Sequence, residues 1–82
     1  MRDYTQVHAD AKAEAERIAE HAAATKGGPY IAAEKIMARR TTKGLQSALV
    51  AALAITALYE RGHPDAAAQL TKELALMADE RL

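Results

Sequence analysis

The sequence predicts an all-α protein, a small four-helix bundle of antiparallel helices with short loops, and three observations carry that expectation. Glycine and proline, the residues that punctuate helices, stand only at Gly27-Gly28-Pro29, Gly44 and Gly62-His63-Pro64. Between those points apolar residues recur three and four positions apart, as one face of a 3.6-residue helix requires. No stretch alternates apolar and polar residues with β-branched enrichment, so no strand is expected.

The first helix is expected near residues 3–25. Asp3 can cap it and Gln6 can reach back in a capping box. Its apolar stripe is Val7, Ala11, Ala15, Ile18 and Ala22, and the opposite side carries Asp10, Lys12, Glu14, Glu16, Arg17 and Glu20. The second helix, near 29–40, starts on Pro29, whose missing N–H costs nothing in a first turn, and its stripe is Tyr30, Ala33, Ile36 and Met37. The third, near 42–61, is capped by Thr41 or Thr42 and places Leu45, Leu49, Ala52, Ile55 and Tyr59 on one side, with Val50, Leu53, Ala57 and Leu58 on others. Gly62 ends it. Pro64 and Asp65 open the fourth, near 64–81, which buries Ala67, Leu70, Leu74 and Met77. Leu49, Leu53, Ile55, Leu70 and Leu74 are expected among the most buried residues.

The 82 residues suit one domain over 1–82. Alanine supplies about half of the apolar residues and Phe, Trp and Cys are absent, so the core is thin, its helices close, and thiol chemistry excluded. The N-terminal residues are too polar for a secretory leader, and the longest near-continuous apolar run, Ala48 to Tyr59, is far short of the ~20 residues a membrane span needs. A cytoplasmic protein with no membrane partner is expected.

Candidate chemistry is scarce. Ser47 is the one serine and has no glycine elbow around it. His8 and His21 are thirteen residues apart, too far to share an ion, and His63 is a turn residue. The spacings Lys12–Glu16 and Glu14–Arg17 suit weak surface ion pairs. No catalytic residue, metal site or cofactor is expected, and the chain reads as a non-enzyme.

Charge is the feature that stands out. The 11 basic and 11 acidic residues cancel overall, yet residues 35–59 contain no acid, while Lys35, Arg39, Arg40 and Lys43 fall within nine positions. These four, with Thr41 and Thr42, form a candidate anion- or partner-binding corner where two helices would meet. Arg39 and Arg40 suit a helix C-terminus, whereas Lys43 in the next first turn opposes that helix's dipole unless an acidic group compensates. The third helix is apolar nearly all round, so Leu49, Val50, Leu53, Ile55, Leu58 and Tyr59 are candidates for core or self-association. The functional expectation is a protein-interaction module that binds itself as a homo-oligomer, in an adaptor or regulator role, and docks an acidic protein surface through the basic corner. The alternative is a small nucleic-acid-binding regulator gripping phosphates with the same residues, against which overall neutrality argues.

Overall fold

The computed structural model describes residues 4–80, with the side chains of 4, 5, 7, 39–47 and 80 outside the description. The protein is an all-α bundle. Its helices are α1 (Tyr4–Ala24), α2 (Gly28–Glu60) and α3 (Pro64–Glu80). All four segments expected to be helical are helical. The correction lies at the joint between the middle two: the backbone stays helical through residues 40–44, so Thr41 and Thr42 do not begin a new helix, and one 33-residue helix spans both segments. The Asp3 cap lies outside the described residues, and Gln6 donates instead to Asp10 Oδ1 at 2.8 Å.

α2 is nevertheless not a straight rod. A straight helix of that length would run about 50 Å. Both of its ends sit on α1. At the start, Gly28 abuts the backbone of His21 and Ala22. Just past the end, Arg61 Nη1 donates to the carbonyl oxygen of Glu16 at 3.5 Å. Glu16 and His21 are five residues apart, about 8 Å along α1, so even a fully extended arginine leaves the ends of α2 within ~30 Å of each other. The helix therefore bends strongly between an N-terminal arm, residues 28–38, and a C-terminal arm, residues 48–60. The intervening Thr41, Thr42 and Gly44 are weak helix formers, and glycine is a usual site of a sharp helix kink.

The two bends in chain direction at the ends of α2 are built from glycine. Gly27 is the N-cap and accepts the N–H of Ile31, while Pro29 occupies the first turn. At the other end Gly62 N–H donates to Tyr59 O at 3.1 Å and His63 N–H to Leu58 O at 2.8 Å, the paired bonds of a Schellman motif. This needs a left-handed residue, and Gly62 has φ +79. Gly62→Ala is expected to cost about 1–2 kcal/mol, because Cβ crowds the following carbonyl in that conformation. For a domain this size thermal melting would register a fall of roughly 5–15 °C.

α1 packs on α2, α2 packs on α3, and α1 and α3 scarcely meet. The molecule measures 40 × 31 × 14 Å, and the short dimension is that of two helix layers. Among the described residues eight of the fifteen buried apolar side chains are alanine: Ala11, Ala15, Ala19, Ala22, Ala32, Ala33, Ala54 and Ala67. Such a seam lets helix axes come to about 8 Å. Ile18, Ile36, Met37, Val50, Leu58, Leu70 and Met77 fill the rest.

The stripes expected for the first and last helices are buried where described, with Leu74 only half-buried. Tyr30 departs from its stripe and is half exposed, because Ala32 and Ala33 take the inner side of that arm. The expectation for the C-terminal arm is corrected further. The core takes Val50, Ala54 and Leu58, so Ala52 and Tyr59 face outward and Leu49, Leu53 and Ile55 are half-buried at the flanks. Of the five residues expected to be most buried, only Leu70 is fully so.

Candidate functional site

α2 carries every residue expected to bind a partner. Lys35 projects exposed from the N-terminal arm, while the side chains of Arg39, Arg40, Thr41, Thr42 and Lys43 lie outside the described residues. The backbone still bears on how they act. Free N–H groups that could cradle an anion occur in the first turn of a helix, and α2 has its first turn at Gly28, not at Thr41. The dipole arguments for Arg39, Arg40 and Lys43 fall for the same reason, since all three are mid-helix. What remains is a run of basic residues on an acid-free stretch of helix.

The outward side of the C-terminal arm continues that stretch. Ala48, Ala52 and Tyr59 are exposed there, with Leu49 and Ile55 half-buried on either side. Thr56 stands at the edge of this side, where it also lines a cleft against α1. Its hydroxyl donates to Ala52 O at 2.9 Å within its own turn, which spends the donor locally. The face is thus shallow, weakly polar and free of acid until Glu60. Apolar residues on every side of this helix left its phase ambiguous in the sequence. Thr56 and Glu60, one turn apart, were the signal for the wet side, because the residues opposite them are Val50, Ala54 and Leu58.

A cleft of about 220 Å³ separates the C-terminal arm from α1. Ala15, Leu53 and Ala57 contribute its apolar lining, and His8, Lys12, Glu16, Glu60 and Arg61 its charged or titratable groups. Both signs of charge are interleaved, so no net field draws an ion of either sign. His21 lines a separate shallow depression with Arg17, Glu20 and Ala24. Among the described residues no three His, Cys, Asp or Glu side chains converge as a metal site would need. The expected Glu14–Arg17 pair is present, Arg17 Nη2 lying 3.7 Å from Glu14 Oε2, and at this exposure it contributes a few tenths of a kcal/mol. No described helix is long and apolar enough to cross a membrane.

Comparison of the chain with protein-family models, with curated proteins and with solved structures finds no match.

Proposed function

We propose that the chain is a non-enzymatic protein-interaction module that self-associates and that uses α2 to dock an acidic, partly apolar partner. The observation that carries this reading is the outward side of the C-terminal arm, where Ala52 and Tyr59 are exposed and Leu49 and Ile55 half covered, on the same acid-free stretch of helix as Lys35, Arg39, Arg40 and Lys43. Apolar surface supplies the affinity of such a contact, and the cations supply attraction and orientation. An amphipathic helix with acidic flanks has the chemistry to match. The residue inventory supports a binding role over catalysis, with a single serine and no cysteine.

A synthetic Glu- and Leu-rich amphipathic peptide, followed by fluorescence anisotropy, tests the docking. Binding is expected to weaken steadily with salt as surface charge is screened. Changing Arg39, Arg40 and Lys43 together to Gln should weaken it about tenfold or more, since each charge contributes up to about 1 kcal/mol in a contact of this kind. Ala52→Glu, an exposed change on the docking side, should weaken it similarly while leaving the melting temperature within a few degrees. Salt-indifferent binding would overturn the charge argument. Tighter binding to a generic DNA duplex than to the peptide would favour the nucleic-acid reading.

A further inference from the structure

The topology has a single covalent hinge. α1 and the N-terminal arm of α2 form one helical hairpin through residues 25–27, and the C-terminal arm and α3 form a second through residues 61–63. The two hairpins are linked covalently by the middle of α2, and the C-terminal arm also meets α1 along the cleft lined by Ala15, Leu53 and Ala57, while α1 and α3 scarcely touch. The connecting backbone is already helical, not a loop. Straightening it therefore requires no refolding of secondary structure.

Phase continuity makes the straight form feasible. Ile36 and Ala54, both buried, are 18 residues apart, five full turns of 3.6 residues, and Ala32, Val50 and Leu58 fall within about 40° of the same line. The buried faces of the two arms would thus remain on one side of a straight α2. Once opened, each hairpin exposes the surface that its own other half had covered, and the chain that fits that surface in detail is the same half of a second copy.

We propose that this protein self-associates by exchanging halves: α2 straightens, and the C-terminal arm and α3 of one copy pack on α1 and the N-terminal arm of another. This deepens the self-association in the reading above and rests on it. Reciprocal exchange closes the assembly as a two-fold dimer, in which the contacts between the two halves are remade between chains and those inside each hairpin stay within one chain. Gly44 sets the balance, because glycine takes up the distorted dihedrals of a kink without the cost that a Cβ imposes, and anything that stiffens the segment favours the rod.

The absence of cysteine permits clean spin labelling after Glu34→Cys and Glu60→Cys, both at exposed positions. Labelled protein is diluted into excess unlabelled protein, so that only distances within one chain are read, and monomer and dimer are separated by size. The straight helix places the two backbone sites about 39 Å apart, and the bent one holds them well inside that distance. The dimer is expected to give the long distance and the monomer the short one. Gly44→Ala should tighten the dimer by about tenfold, since the added Cβ disfavours the kinked backbone and the change acts in both chains. A dimer that keeps the short distance would overturn exchange and leave self-association through an outer surface. A chain that stays monomeric up to millimolar concentration, with Gly44→Ala as well, would overturn both exchange and self-association while leaving the acidic-peptide docking standing.

Discussion

Leu58→Ala is expected to remove about 2–5 kcal/mol of stability, the range for truncating a leucine in a closed core. Leu58 has no exposed surface and is one of the largest fully buried side chains, with Leu70 and Val50. A chain of 82 residues has a total stability of only about 4–12 kcal/mol, so the loss takes a large share of it. Urea unfolding followed by far-UV circular dichroism should show the midpoint collapse. Tyr59→Ala, one residue on but 55% exposed, should change stability by less than about 0.5 kcal/mol. Leu53→Ala should fall between the two, because Leu53 is half-buried at the edge of the cleft. Equal losses at Leu58 and Tyr59 would place the C-terminal arm in the wrong rotational phase.

Gly28→Ala should also be severe. A Cβ at this position would stand 2.5 Å from the carbonyl oxygen of His21 and 2.7 Å from that of Ala22. Both are backbone atoms inside α1, so relief requires the end of α1 and the start of α2 to separate. Overpacking of this kind costs about 1–3 kcal/mol. The neighbouring glycine predicts a much smaller effect. Gly27 has φ −87, and a Cβ there meets nothing within 4 Å, so Gly27→Ala restricts the unfolded chain at no steric cost, a gain that alanine's poorer N-capping offsets, and stability is expected to change by less than about 0.5 kcal/mol. Thermal melts of the two single variants, which differ by one position, give the comparison directly.

Helix content and most boundaries were legible in the sequence because the local signals are strong. Gly62-His63-Pro64 announces a left-handed cap followed by a new helix, and the fold places both there. The run Ala11, Ala15, Ile18, Ala22 has enough charge opposite it to identify its inner side. Two things were not legible. Thr41 and Thr42 carry the side chains of an N-cap, but capping requires the chain to leave the helix first, and nothing in residues 36–40 stops it: no glycine or proline precedes Thr41 closely enough to terminate the turn. A weak-helix signal of this kind matches that of a break, and here it marks a bend. The second is the phase of residues 48–60. Leu49, Ala52, Ile55 and Tyr59 satisfy helical spacing as well as Val50, Ala54 and Leu58 do, and only the position of α1 and α3 chooses between them. With Val50, Ala54 and Leu58 inward, Tyr59, which spacing alone groups with Leu49 and Ile55, is exposed beside Ala52 on the outward side.

The alanine seam bears on how the sequence can change. In most domains the large apolar residues are the ones a mutation harms, because truncation leaves a hole. Here Ala11, Ala15, Ala19, Ala32, Ala33, Ala54 and Ala67 sit at 0–1% exposure where helices abut, and truncation to glycine is nearly the only way to make them smaller. Harm instead comes from enlargement: a valine or leucine at any of these positions needs room that its neighbours do not have. In a library of all single substitutions the least tolerant sites should be these small residues, each accepting glycine or serine and little else, whereas half-covered Leu49 and Leu74 should accept most apolar replacements. Descendants of this chain could then enlarge one alanine only by shrinking what it touches, so substitutions along the seam would accumulate in facing pairs and seldom singly.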